Sequence, residues 1–482
     1  MHPISSGPSY DATLTRLKGV GQEHVLRFYE TLDPEERRGL LEQIEPLDVE
    51  SLPRLVDEYV KNKPAVTLPA SVEPAPYFPH DHRSKSRPWD RDAIRRKGQD
   101  LIASGKVAAF VVAGGQGSRL GYEGPKGCYP ATPVTNKSLF RVFAEHLVGA
   151  RERLGVDVPW YIMTSPQNHE QTLEFFEKHT FFGLSRSSVM FFAQGVMPSL
   201  DIESGRMLLA TTSHVATNPD GHGGSIKALA ASGALADMKK RGVEHVSYFQ
   251  VDNPLVRVLD PVFVGLHVSS SASSGEMSSK MIPKAYPEEK MGVFCRIDGK
   301  VSVVEYSDLP MTLQRERLGD GSLRFIAGSI AIHIIAVEFI DRLAHDPKFS
   351  LPYHRAEKKI PCVDMETGRP MTPTTNNGVK LERFVFDALP MCRESIVMEV
   401  DRDEEFAPIK NATGVDSVES SRAMQTTRAA RWLEACGVRV PLKDDGSVDG
   451  DIEISPATAT CAEELKNAKL PATLERGARL VL

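Results

Sequence analysis

Val107-Ala-Ala-Phe-Val-Val-Ala-Gly-Gly-Gln-Gly-Ser-Arg-Leu-Gly121 decides the fold, because seven apolar residues run straight into a glycine-rich, cationic turn. An unbroken apolar run of strand length suits a parallel strand covered on both faces. Upstream, Arg91 to Ala103 carries a helical pattern. Downstream the alternation continues, with a helix expected at 138–152, a strand at 159–164, a helix at 167–178, a strand at 188–193, a helix at 225–240 and a strand at 245–251. Strands alternating with helices build βαβ units, so the spacing predicts an α/β fold with a mostly parallel, doubly wound sheet. Ligands of such sheets bind in loops beyond the carboxyl ends of the strands.

The turn itself has the chemistry of an anion cradle. Gly114, Gly115 and Gly117 let backbone N–H groups converge on one point. Arg119 adds a guanidinium fork, and Lys126, in Pro125-Lys126-Gly127, adds a point charge. Two commoner phosphate motifs fail here. The third glycine of a dinucleotide fingerprint is replaced by Leu120, and Lys126 precedes Gly127 where a P-loop needs Ser or Thr. Hydride transfer and P-loop nucleotide hydrolysis are therefore not supported.

The remaining text bounds the organisation. The chain has 482 residues, 41% hydrophobic and 25% charged, enough for a large core. Its net charge of −6 argues against general nucleic-acid binding. Leu14, Leu17, Val20, Val25 and Phe28 recur at helical spacing, and Pro34-Glu-Glu starts a further helix. Pro64 to Pro88 reads as a linker, within which Pro79-His80-Asp81-His82 has too few ligands for a metal and reads as a polar loop. A helix is expected at 418–435, followed by Asp/Gly-rich text. The expected divisions are a helical region with linker at 1–88, an α/β domain carrying the glycine loop at 89–415 and a small C-terminal domain at 416–482. The opening Met-His-Pro-Ile-Ser-Ser-Gly is not a secretory signal, and the most apolar stretch, Phe325 to Ile340, is too short and too polar for a membrane span. Six cysteines without CxxC spacing fit a reducing cytoplasm. No membrane or nucleic-acid partner is expected, and oligomeric state is not readable.

The run Val112-Ala-Gly-Gly-Gln-Gly-Ser-Arg-Leu-Gly121…Pro125-Lys126-Gly127 resembles the nucleotide loop of UDP-N-acetylglucosamine pyrophosphorylases and their UDP-sugar pyrophosphorylase relatives. The resemblance continues in order through Phe191-Phe-Ala-Gln194, Pro219-Asp-Gly-His-Gly-Gly224, Val251-Asp-Asn253, Gly292-Val-Phe-Cys-Arg296, Val304-Glu-Tyr-Ser307 and Ala327-Gly-Ser329. It ends with Asn377-Gly-Val-Lys380, Arg383-Phe-Val-Phe-Asp387 and Glu405-Phe-Ala-Pro-Ile-Lys-Asn411, covering about residues 90 to 435. It implies a Rossmann-like, GT-A-type core that joins UTP to a sugar 1-phosphate, giving a UDP-sugar and pyrophosphate.

Site roles follow from the resemblance. Arg119, Lys126 and Lys410 would neutralise phosphates, and Asp252, at the end of a strand, would take one site on Mg²⁺. Gln194 has the donor and acceptor to pair with uracil. The loop glycines, Gly221 and Lys380 would complete the nucleotide site. A helix N-terminus near Ser225 would approach the ligand past Gly221, Gly223 and Gly224. Glu305, in a β-like run from Val301 to Tyr306, would accept from sugar hydroxyls, with Gly292 giving close approach. Phe384 and Phe386, alternating in an apolar strand, would flank the sugar. Two positions depart from the N-acetylglucosamine pattern, His222 and Ser329, both Asn in that subgroup. N-acetylglucosamine 1-phosphate is the favoured sugar, and glucose or galactose 1-phosphate is the alternative. A silent UDP-sugar binder would keep Gln194 and the glycine loop but lose the cations, whereas all of them are present here.

Overall fold

The computed structural model describes residues 8–62, 68–69, 71–85, 87–346, 348–466 and 468–482. The opening heptapeptide and part of the Pro64–Pro88 linker lie outside the described residues. The chain forms two compact units, each assembled from separated segments.

The larger unit comprises Leu68–Ala193, Ser225–Phe349 and Phe386–Leu482. Its centre is an 11-stranded sheet. In chain order the strands are β1 (Glu73–Pro74), β2 (Tyr77–Phe78), β3 (Val107–Val112), β4 (Trp160–Thr164), β5 (Val189–Ala193), β6 (His245–Gln250), β7 (Met277–Pro283), β8 (Val293–Ile297), β9 (Lys300–Val304), β10 (Ala327–Ala336) and β11 (Val397–Glu399). The spatial order is β2-β11-β7-β10-β6-β3-β4-β5, with β8 branching onto β1, β9 and β10. Pairing is parallel from β6 through β5 and again at β7, β11 and β2, while β10 runs antiparallel to both neighbours. The expected mostly parallel sheet is present. The linker differs from expectation, since its described part supplies β1 and β2 to the sheet.

Helices cover the faces: α1 (Arg91–Ala103), α2 (Leu139–Leu154), α3 (His169–Lys178), α4 (Ser225–Ala231), α5 (Ala234–Lys240), α6 (Pro261–Ser269), α7 (Val337–His345) and α8 (Val418–Ala435). Close approach sets the α1–α6 contact. A Cβ on Gly98 would lie 1.8 Å from the Pro261 carbonyl oxygen, and one on Gly265 1.9 Å from that of Ile94. The single helix expected at 225–240 is two, broken at Gly233, whose φ of 82° is left-handed. The apolar stretch from Phe325 to Ile340 is core, as expected, forming β10 and the start of α7. His82 packs against Trp89 at 5.9 Å. Among the described residues no cluster of three His, Cys, Asp or Glu could hold a metal, and no helix is long and apolar enough to cross a membrane. At the C-terminal end, Gly450–Glu453 pairs in parallel with Ala478–Val481, and Ile452 packs with Trp432 and Leu433 of α8.

The smaller unit combines the described part of Met1–Thr67 with Gln194–Gly224 and Ser350–Val385. Helix Tyr10–Lys18 holds Leu14 and Leu17 of the expected periodicity, but Val20, Val25 and Phe28 fall beyond it among short 3₁₀ turns. Helix Pro34–Ile44 forms as expected, started by a capping box between Asp33 and Glu36. Leu17, Leu40, Ile44 and Leu52 share one core with Leu200, Leu209, Val379 and Leu381. The antiparallel sheet His354–Lys358, Gly378–Glu382 and Leu200–Asp201 closes this unit.

Buried imidazoles make the fold acid-sensitive. His267 has no exposed surface, its Nδ1 lies 2.7 Å from the Ser278 hydroxyl, and burial pushes its pKa down to about 3. His146 is driven well below its ordinary value by burial and by Arg428. Both stay neutral in the folded protein, whereas the unfolded chain binds a proton at each below about pH 6.5. Their stabilisation is complete above that pH and is lost as pH falls toward the folded values, at about 1.4 kcal/mol per pH unit per histidine. The urea midpoint is expected to drop between pH 7.5 and 5, less steeply in His267→Gln. Equal slopes for the two proteins would contradict the assignment.

Candidate active site

Parallel pairing of β3 with β6 brings the glycine loop and Asp252 to one edge of the larger unit. Val251 N–H donates to the Val112 carbonyl at 3.1 Å, which sets Asp252 beside Ala113 and Gly114. The loop is braced across its own mouth, Gly117 N–H to Gly124 O at 2.9 Å and Lys126 N–H to Gly115 O at 3.0 Å. A Cβ on Gly117 would meet the Tyr122 ring at 2.7 Å, so close packing fixes that glycine. Arg119 is exposed on the turn Ser118–Leu120, and Lys126, half-buried, opens the turn Lys126–Cys128.

Sequence reasoning missed the residue that pins this loop. Asn168 is fully buried, donates from Nδ2 to Ala113 O (3.0 Å) and Gly115 O (3.3 Å), and accepts from Ser165 N–H at 2.8 Å. The local signal is an Asn three residues past the Ser that follows β4, a common turn pattern whose long-range partners are invisible in sequence.

Lys410 arrives from the far C-terminal side. Ile409 N–H donates to the Asp252 carbonyl at 2.8 Å, so Lys410 follows Asp252 closely in space. Its ammonium lies over the Phe406 ring and 3.9 Å from Asp416. The acids at 401–405, which the sequence offered as partners, are engaged elsewhere: Asp401, Asp403 and Glu404 face Arg431, and Glu405 faces Lys280. Burial pushes the Asp416 carboxyl above its usual range, Lys410 pulls it back, and the Asp252 charge adds to the rise.

Gly292, Glu305 and Ser329 also meet within this unit. Ser329 N–H donates to Gly292 O at 2.8 Å, and a Cβ on Gly292 would sit 3.1 Å from Glu305 Oε1. Glu305 lies just past β9, which ends at Val304, so the strand expected through Tyr306 is shorter and leaves Glu305 half-exposed. The expected strand at Phe384 and Phe386 is absent too. Strand Gly378–Glu382 stops before them, and Val385–Met391 is a 3₁₀ turn in which Phe386 is buried.

The smaller unit carries the other candidates. Gln194, the residue after β5, is 5% exposed. Asp220 N–H donates to Gly195 O, Arg383 N–H to Asp220 O, and Gly223 N–H to Arg383 O, which gathers Gln194, Gly221, His222 and Phe384. Lys380 lies on the adjoining strand and is half-buried. The glycines here serve packing within the unit. A Cβ on Gly221 would be 2.3 Å from Arg383 O, and one on Gly224 2.1 Å from the Asp220 carboxylate. His222 stacks on Phe384 at 5.0 Å, and His354 stacks on the same ring at 4.2 Å. Burial, with His354 adding, pushes the His222 pKa down to about 3. Val385 N–H donates to its Nδ1 at 3.1 Å, so the neutral ring carries its proton on Nε2. His222 is therefore a neutral donor at physiological pH.

The UTP–glucose-1-phosphate uridylyltransferase family, UDPGP, matches residues 81–432. The chain belongs to this family. It is 36% identical over 485 residues to UDP-N-acetylglucosamine diphosphorylase 2 of Arabidopsis thaliana, covering 96% of this chain and 92% of that protein. It is 37% identical over 476 residues to UDP-N-acetylhexosamine pyrophosphorylase-like protein 1 of Homo sapiens, covering 94% and 93%. The crystal structure of the uridine diphosphate N-acetylglucosamine pyrophosphorylase of Trypanosoma brucei, in complex with inhibitor, matches with a TM-score of 0.81 at 28% identity, over 96% of this chain and 95% of that one. The family makes a UDP-sugar from UTP and a sugar 1-phosphate, and this member is a nucleotidyltransferase.

Proposed function

We propose that this enzyme converts UTP and N-acetylglucosamine 1-phosphate to UDP-N-acetylglucosamine and pyrophosphate. The observation that carries the sugar is likeness over nearly the whole chain to relatives named for N-acetylglucosamine and N-acetylhexosamine. The sugar phosphate attacks the α-phosphorus of UTP in line, the bond to the β-phosphate oxygen breaks, and pyrophosphate leaves. The attacking phosphate has a second pKa near 6 and is already largely ionised, so no general base is needed. Catalysis then rests on positioning and on neutralising crowded phosphates. Arg119, Lys126 and Lys410 supply cations, Gln194 reads uracil, and Glu305, Ser329 and His222 meet sugar hydroxyls.

Magnesium is the cofactor this reading requires. Asp252, half-buried at a strand end with a second carboxylate, Asp416, near enough to feel its charge, fits a metal that arrives with the nucleotide. Mg²⁺ takes one or two carboxylates and fills the rest of its octahedron with phosphate oxygens and water. When bound, it would neutralise phosphate charge. Free cysteines, four of them buried, support a cytoplasmic setting.

Pyrophosphate release from UTP and Mg²⁺ with a panel of sugar 1-phosphates tests the proposal. Turnover should be highest with N-acetylglucosamine 1-phosphate, and release with none of them would sink it. A second reading, broader sugar acceptance, is favoured by Ser329 and His222. Ser329 is shorter than Asn, and His222 presents a ring NH where the subgroup has an amide. Ser329→Asn with His222→Asn is expected to raise the kcat/KM ratio of N-acetylglucosamine over glucose 1-phosphate by about ten- to a hundredfold. An unmoved ratio would remove both positions from sugar choice.

A further inference from the structure

We propose that Asn253 is a positioning residue that sets Lys410 against the phosphates, acting through the backbone segment it clamps. The proposal rests on the reading of Lys410 as a phosphate ligand. Asn253 is 6% exposed and follows Asp252 directly. Its Nδ2 donates to the Glu405 carbonyl at 2.6 Å, and its Oδ1 accepts from Ala407 N–H at 3.1 Å and from Leu255 N–H at 3.1 Å. Two residues further on, Ile409 N–H reaches the Asp252 carbonyl.

Partners at 405, 407 and 409 share one side, the signature of an extended segment docked edge-on. That segment delivers Lys410, so Asp252 and Lys410 are registered on each other through hydrogen bonds that involve neither side chain. Its upstream end is fixed separately, because the Glu405 carboxylate is held by the buried Lys280 at 2.5 Å. Loss of the Asn253 clamp therefore loosens the stretch between Glu405 and Ala407 that leads to Lys410, whose own backbone is still held by Ile409 N–H on the Asp252 carbonyl and by Lys410 N–H on the Asp416 carbonyl.

A purely structural role is also available to Asn253, namely capping its own turn through the Leu255 bond. Aspartate performs that task as well as asparagine. Asn253→Asp separates the two, since it keeps both acceptor bonds but cannot donate to Glu405 O and sets negative charge against that carbonyl. Positioning predicts a kcat at least about tenfold lower, because a shift of order 1 Å at a catalytic group costs up to about a hundredfold. The melting temperature should fall, because a buried carboxylate then faces the Glu405 carbonyl, but the kcat loss should vanish in a Lys410→Ala background. Wild-type kcat in Asn253→Asp, or the same fold loss in both backgrounds, would overturn the proposal. Asn253→Ala, which removes the clamp without adding charge, should show the same kcat loss together with a lower melting temperature, because it also removes the partner of Leu255 N–H. If neither variant folds, Asn253 is a stability residue and the proposal falls. Amide exchange at Ile409 in the ligand-free protein judges the clamp without reference to turnover, with faster exchange in Asn253→Asp supporting it and an unchanged rate overturning it. A wild type that releases no pyrophosphate from any sugar 1-phosphate refutes the proposed function and leaves that readout intact.

Discussion

Lys280→Met is expected to lower the free energy of unfolding by about 3–5 kcal/mol, read from urea denaturation near pH 7.5. Lys280 has no exposed surface, and its ammonium lies 2.6 Å from Asp260 and 2.5 Å from Glu405, both themselves buried. Burial alone would push the Asp260 carboxyl up, but the Lys280 and Arg257 charges pull it down to about 2. Asp260 also caps α6 through Val262 N–H at 3.0 Å. Methionine fills the space of the lysine stem and leaves Asp260 and Glu405 with Arg257, 3.9 Å from Glu405, as their remaining compensating charge. Once the ammonium is gone Asp260 titrates higher, so the gap between variant and wild type should narrow as pH falls toward 5. A loss under about 1 kcal/mol, or a gap independent of pH, would show that the network contributes little.

Lys126→Ala is expected to lower kcat by about 10²–10³, the size of one lost contact to developing phosphate charge. The backbone bond from residue 126 to Gly115 O survives this substitution, so the loop and the melting temperature should be preserved. Arg119→Ala should act in the same direction, since Arg119 projects from the same loop. A near-normal rate for Lys126→Ala would remove the glycine loop from the reacting phosphates.

The buried strands and the glycine loop were legible because their signals are local. An apolar run such as Val107–Val112 names its own environment, and the spacing of glycines names a turn. What misled was local text whose meaning is tertiary. Phe384 and Phe386 alternate like strand residues, yet Arg383 is committed to Asp220 and the chain tightens into a 3₁₀ turn. Gly221, Gly223 and Gly224 read as the approach to a helix start, and a helix does begin at Ser225; what the text hides is that a Cβ at each would meet Asp220, Arg383 or Phe384. Asn168, Asn253 and Lys280 were passed over for a different reason. Each works through partners 50 or more residues away or through full burial, and a lone Asn or Lys gives no sign of either.

The smaller unit has a consequence for biosynthesis. Its N-terminal helices carry Leu17, Leu40, Ile44 and Leu52, which are covered by Leu200 and Leu209 from one later segment and by Val379 and Leu381 from another. Those last residues emerge only when the nascent chain nears Val385. At about 5–20 residues per second, the helices wait roughly a quarter of a minute to a minute after leaving the ribosome with an apolar face uncovered. The larger unit is interrupted in the same way. Neither can close vectorially, so chaperone occupancy on the ribosome should concentrate on the first 62 residues and fall once residue 385 has cleared the exit tunnel.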